Sequence, residues 1–249
     1  MAVEDFSKDL IESVCILQRD GLNLTFTHRS FQEYFSALFI TRTPSASLVP
    51  LLDQICRRTE DHVMAMAFDM NRNLIEKSWV IPKLRELNAK IDKIDLETDM
   101  FDYLECLYGR LRLVFGPPHG VSIFMKTDRA PNAHLLFTLY DLYSSNFGTM
   151  RSRFRRERKA DVPIVERAIR GLISEGDIRF KEVPELTLRS KRRVRTDSEI
   201  PFEREDTLWF RETSHFMYFV NQKKALKKLL SELEQSSAKR EAILGKLFQ

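Results

Sequence analysis

GLNLTFTHRSFQEYFSALFIT, residues Gly21 to Thr41, is the stretch on which the reading of the fold turns. Asp20-Gly21 is a turn signal, and the run Leu22-Asn23-Leu24-Thr25-Phe26-Thr27 alternates apolar with polar residues. That alternation places Leu22, Leu24 and Phe26 on one face and predicts a half-buried strand. A polar break, His28-Arg29-Ser30, follows. Phe31, Tyr34, Phe35, Leu38 and Phe39 then recur at helical spacing. Ser30 is expected to cap this helix, with Glu33 three residues on completing a capping box. A strand that runs straight into a capped helix through His-Arg holds an imidazole at a defined place.

The same residues carry a resemblance. Phe26, His28, Phe31, Gln32, Glu33, Tyr34, Phe35 and Ala37 stand in the pattern aromatic-x-His-x-x-Phe-Gln-Glu-Tyr/Phe-Phe-x-Ala. This resembles the end of the winged-helix domain in NACHT-type STAND NTPases, which include animal NOD-like receptors and bacterial antiphage NTPases. The similarity covers roughly residues 1–42. It implies that residues 1–42 are the C-terminal part of a winged helix whose other helices lie upstream of Met1 or on another chain. It implies that residues 43–249 are a mainly helical sensor or interaction domain. In such proteins the winged-helix histidine contacts the phosphates of bound ADP and holds the resting state, a role that here falls to His28. Arg29 is expected to be a surface or interdomain charge, and Gln32 and Glu33 to serve capping and packing. The expected partners are an NTPase core that binds ADP or ATP with magnesium, and a foreign protein or nucleic acid as trigger. Activation would bring oligomerisation and an N-terminal effector, in a cytoplasmic antiphage defence. No nucleotide is expected to bind to this chain alone, and ATP hydrolysis would belong to the NTPase core.

Composition agrees with a mainly α fold. Across 249 residues glycine is scarce, at 8, and phenylalanine abundant, at 18. Helix formers dominate the rest. A hydrophobic content of 43% with 31% charged residues suits a folded domain rather than a disordered chain. The net charge of +4 is too mild to indicate a nucleic-acid binder by itself. Cys15, Cys56 and Cys106 are odd in number and form no CxxC pair, so neither a zinc ribbon nor a disulfide scaffold is suggested, and they are expected to be buried thiols of a reducing cytosol. No GxxxxGK[ST], HExxH, GxSxG or GxGxxG occurs, and the five histidines are dispersed. No apolar run approaches the roughly 20 residues that span a bilayer, so no membrane partner is expected.

Outward from the central stretch, an amphipathic helix is predicted over 5–18, ended by Asp20-Gly21. Thr43–Ser47 is a linker. Helical spacing continues from 48 to about 92, with a break at Pro82, and over 99–115. Gly116-Pro117-Pro118-His119-Gly120 marks a subdomain edge. Val121–Met125 fits a short strand or a helical turn, and 133–147 a core helix. Another helix is predicted over 162–175, a strand or two over 177–189, and a closing helix over about 221–248, its apolar stripe too interrupted for a coiled coil. Trp209, Phe210, Phe216, Tyr218 and Phe219 are read as core.

Two basic clusters flank the 162–175 helix. One contains Arg151, Arg153, Arg155 and Arg156; the other contains Arg192 and Arg193. They read as solvated segments matched by the acidic stretch Ser198–Asp206. The alternative is a winged-helix-like nucleic-acid module, in which these arginines neutralise phosphates and Phe154 stacks on a base. A third reading is a plain helical scaffold. The nucleic-acid module predicts salt-dependent binding to DNA or RNA, read by fluorescence anisotropy at rising salt. Neutralising Arg151, Arg153, Arg155 and Arg156 together should abolish it, and absence of binding by the unaltered chain at low salt would end that reading.

Overall fold

The structure, a computed structural model, describes residues 3–58, 61–115, 121–125, 131–147 and 199–247, with Ile164, Arg167, Ala168, Gly171, Ser174 and Glu175. Both arginine clusters, the 116–120 break and the strands expected over 177–189 lie outside these residues. The fold is mainly α with a few short strands. Cα packing divides it into two compact units, Met1–Val80 and Ile81–Gln249, whereas the sequence reading places a domain edge at 42/43.

The first unit opens with α1 (Val3–Glu12) and a hairpin of β1 (Leu17–Asp20) and β2 (Asn23–Phe26). The expected helix over 5–18 is thus corrected: its last residues form a strand. The chain leaves α1 through Cys15, which sits in the left-handed region at φ 55°. Non-glycine residues are uncommon there, and a helix cannot continue through it. Leu17 pairs with Phe26 and Asp20 with Asn23. Asp20-Gly21 therefore closes a hairpin instead of ending a helix. Gly21, at φ 60°, takes the positive-φ position that two-residue hairpin loops require. Leu22 lies in that loop, fully exposed, and Leu24 is also exposed, so only Phe26 of the expected apolar face is partly buried.

After the hairpin come α2 (Arg29–Arg42), α3 (Ser45–Ile55), α4 (Val63–Met70), α5 (Arg72–Ile75) and a five-residue π segment, Glu76–Val80. Leu48, Leu52 and Ile55 bury one face of α3, at the i, i+4, i+7 spacing of an amphipathic helix. α2 packs on α4. The buried Trp79 indole donates to Asp53 Oδ1 at 2.8 Å, tying the π segment to α3. Asn71 ends α4 and caps α5, its Oδ1 accepting from Leu74 N at 3.1 Å.

In the second unit α6 (Ile81–Ile91) contains Pro82 as its second residue. The break expected there does not occur: the residues just before α6, Glu76–Val80, are themselves helical, and their wider π turn immediately precedes the proline whose N–H is missing. α7 (Met100–Tyr108) ends at Gly109, φ 69°, and the chain turns into β3 (Leu111–Phe115). The helix expected over 99–115 is therefore half helix and half strand. β3 is the centre of an antiparallel sheet between β4 (Val121–Met125) and β5 (Glu199–Pro201). Leu113 faces Ile123 on one side and Ile200 on the other. Pro201 sits on an edge strand, where its missing donor costs least. Among the described residues, α8 (Pro131–Leu142), α9 (Thr207–Phe210) and α10 (Ser214–Leu247) follow, and Ile164, Arg167, Ala168, Gly171 and Ser174 are helical, in line with the helix expected over 162–175.

α10 buries Phe219, Gln222, Leu226, Leu229 and Leu233, spaced three and four apart. Four are hydrophobic and one is an amide. The fully buried Gln222 donates from Nε2 to Tyr108 Oη at 2.7 Å and to Tyr140 Oη, and accepts at Oε1 from Tyr103 Oη at 3.2 Å. Tyr140 in turn shares a hydrogen bond with Tyr218 at 3.3 Å. Burial raises the pKa values of Tyr103, Tyr108 and Tyr140 above the ordinary tyrosine value, so their hydroxyls stay protonated. One side chain thereby joins α7, α8 and α10. Phe219 packs against Tyr103, Tyr108, Tyr218 and Phe210, which places Phe210 and Phe219 in the core as expected. On α6, Asn88 Nδ2 donates to Leu226 O, and Arg85 pairs with Glu234 at 2.6 Å.

Substituting Gln222→Met keeps the volume and removes the amide. It should lower stability by about 2–4 kcal/mol, since buried hydroxyls lose their partner at about 1–3 kcal/mol each. Urea denaturation should show a lower midpoint at unchanged slope.

Candidate functional site

His28 stands between β2 and α2, as the N-cap residue of α2, with φ −135° and ψ 135°. Its backbone is held from both sides. Before it, Thr27 N donates to Ile16 O at 2.9 Å, and Thr27 Oγ1 lies 2.8 Å from Cys15 O and 3.1 Å from Ile16 O. After it, Phe31 N donates to His28 O at 3.1 Å. The ring is exposed, and its Nδ1 lies 2.9 Å from Ser30 Oγ. Nε2 has no hydrogen-bond partner among the described residues.

The expected capping box at Ser30 and Glu33 is absent. α2 begins at Arg29 with His28 as its N-cap, two residues before the expected one, and no side chain caps it. Ser30 turns its hydroxyl to His28. Glu33 is drawn instead to Arg29, whose Nε donates to Glu33 Oε1 at 3.0 Å, the i, i+4 spacing of a helical ion pair. Glu33 is buried while Arg29 remains largely exposed, so solvent weakens the attraction between them. The partnership of Ser30 with His28 was missed by sequence reasoning. Its signal was a hydroxyl residue two positions after the histidine, which helix-capping statistics assigned to the backbone.

The remaining motif residues divide between two faces of α2. Glu33, Ala37 and Ile40 are buried. Phe31, Tyr34, Phe35 and Phe39 are exposed, Phe39 to 66%. Helical spacing identified the aromatic residues as recurring along one side of the helix; the structure leaves that side exposed and buries the opposite one. Phe26 stacks on Phe35 with centroids 5.8 Å apart, and Tyr34 meets Phe35 edge-on at 5.4 Å. Gln32 is exposed. The strand, the imidazole and the aromatic face are thus brought together, with His28 at the head of the helix. An exposed imidazole at the positive end of a fourteen-residue helix can donate to an anion when its outward nitrogen carries a proton.

Arg151, Arg153, Arg155, Arg156, Arg192 and Arg193 lie outside the described residues. No cluster of three or more His, Cys, Asp or Glu among the described residues could hold a metal ion. Cys56 is buried as expected, whereas Cys15 is exposed and Cys106 half-buried. Cys15 is exposed because it occupies the turn out of α1 rather than a helix face. No helix among the described residues is long and apolar enough to cross a membrane. In the second unit an open groove of about 410 Å³ is lined by residues 95–97 and, from α10, by Phe216, Met217, Val220, Lys223, Lys224 and Lys227. Burial lowers the pKa of Lys223, whose Nζ donates to Ile94 O at 2.6 Å.

No family model, curated protein or solved structure matches this chain.

The two faces of α2 predict opposite responses to substitution. Phe39→Ser should change unfolding free energy by no more than about 0.5 kcal/mol. Ile40→Ala, one residue on, should cost about 2–5 kcal/mol by emptying a packed site. Chemical denaturation of the two variants distinguishes them, and the reverse order would mean that the aromatic side faces inward.

Proposed function

We propose that this chain is the switch and sensor portion of a NACHT-type STAND signalling NTPase acting in cytoplasmic antiphage defence. The observation that carries the reading is His28: an exposed imidazole whose backbone is anchored on both sides, at the head of a helix that turns its aromatic motif residues outward. A histidine that served only to stabilise the hairpin would need neither the exposure nor the unpartnered Nε2. The residues present fit a phosphate, because an imidazole N–H is a donor that an anion strengthens. ADP or ATP with magnesium belongs to the NTPase core, supplied by another part of the protein or by a separate chain, and it supplies the phosphates that His28 contacts. The outward aromatics Phe31, Tyr34, Phe35 and Phe39 form the apolar surface that such a core covers. The chain itself is not the catalyst. The residues after the winged helix, 43–249, serve ligand sensing, their trigger a foreign protein or nucleic acid.

In this reading the winged helix is one arm of a two-state element: contact with bound ADP favours the resting arrangement, and its loss favours the active, oligomeric one. A hydrogen bond to a charged group is worth about 1.5–3 kcal/mol. His28→Ala in the intact protein should therefore raise ligand-independent activity by about tenfold or more, read as effector output and as oligomer formation by mass photometry. Resting activity indistinguishable from the unaltered protein would overturn the switch role.

A further inference from the structure

The Ser30 hydroxyl lies 2.9 Å from His28 Nδ1, and the direction of that bond decides what the other ring nitrogen can do. If Nδ1 carries the proton and donates to Ser30, Nε2 presents a lone pair and repels an anion. If Ser30 donates to Nδ1, Nε2 carries the proton and can donate outward. We infer that Ser30 is a positioning residue: its O–H donates to His28 Nδ1, locking the ring as the outward Nε2–H donor. This deepens the switch reading given above and rests on it.

Three observations support the direction. Ser30 is the second residue of α2, so no helical carbonyl lies four residues behind it to take the hydroxyl proton. The residue at that distance, Phe26, belongs to strand β2, paired with Leu17. A serine deeper in a helix commonly spends its proton on such a carbonyl. Second, Ser30 Oγ has no other partner among the described residues. Third, the His28 backbone is already fixed through Thr27 and Phe31, so a single bond to the ring suffices to set its orientation. Both side chains are exposed, and the bond adds little to stability; its effect falls on ring orientation. Neutral imidazole in water already leans toward the Nε2–H form, and the hydroxyl removes the remaining alternative.

The test is nitrogen-15 NMR of the 249-residue chain above the pH of imidazole titration, with the His28 signals identified by their loss in His28→Gln. The unaltered chain and Ser30→Thr should each show Nδ1 as an unprotonated acceptor and a single χ1 rotamer. Ser30→Ala should show averaged rotamers and a mixed tautomer, with unchanged thermal unfolding. A protonated Nδ1 in the unaltered chain, or a Ser30→Ala spectrum like that of the unaltered chain, would overturn the assignment. A second measurement, resting activity of the intact assembly, separates this idea from the one it rests on. Ser30→Ala should raise that activity several-fold, and Ser30→Thr should restore quiescence. Ser30→Ala as quiet as the unaltered protein, where His28→Ala is active, overturns the positioning role. A quiet His28→Ala overturns the switch reading instead, and the spectra still decide the tautomer.

Discussion

The amide of Gln222 is the constraint on which the larger unit depends. It occupies one position in an otherwise hydrophobic buried stripe along α10 and satisfies hydroxyls from α7 and α8 at once. A buried amide without partners costs more than an apolar residue of the same size, so this arrangement tolerates only one register of the three helices. Sliding α10 by a turn would keep Leu against Leu. It would also strand Gln222 and leave tyrosine hydroxyls unpaired in a place where burial already holds them protonated. Packing by Phe219, Leu226, Leu229 and Leu233 supplies the bulk of the attraction, and the amide selects among packings of similar area.

The smaller unit is governed by a different compromise. α2 has apolar residues on more than one side and can bury only one of them. It places Ala37 and Ile40 against α4, with Glu33 reaching back to Arg29, and leaves four aromatic rings facing out. Small side chains allow close approach of helices, whereas rings on the inner side would force them apart. The outward rings are partly sheltered by one another, as in the Phe26–Phe35 stack and the Tyr34–Phe35 edge contact.

Much of the architecture was legible because local signals and tertiary demands agreed. The apolar spacing of Leu48, Leu52 and Ile55 marks the buried face of α3, and Phe210 and Phe219 are core residues as their surroundings suggested. Misreadings cluster where a single residue with unusual backbone geometry overrode a periodic pattern. Cys15 and Gly109, both at positive φ, each end a helix whose apolar spacing continued into a strand. Pro82 misled in the other direction: helical residues run into it from the π segment Glu76–Val80, and the chain stays helical through Ile91.

By itself, the sequence determined the helical character, a turn at Gly21, the junction that carries His28, and which residues of α2 share a face. These are local properties, set by φ preferences, by spacing along the chain and by the chemistry of adjacent residues. Only the tertiary structure decided which face of α2 is buried, that Ser30 serves the histidine ring rather than the helix backbone, and that Gln222 is the polar centre of a hydrophobic stripe. Periodicity gives the angle between side chains around a helix but not the direction of the core. A polar residue's partner, likewise, is whatever the fold brings within 3 Å of it, and for Gln222 the nearest of those partners is 82 residues away in the chain.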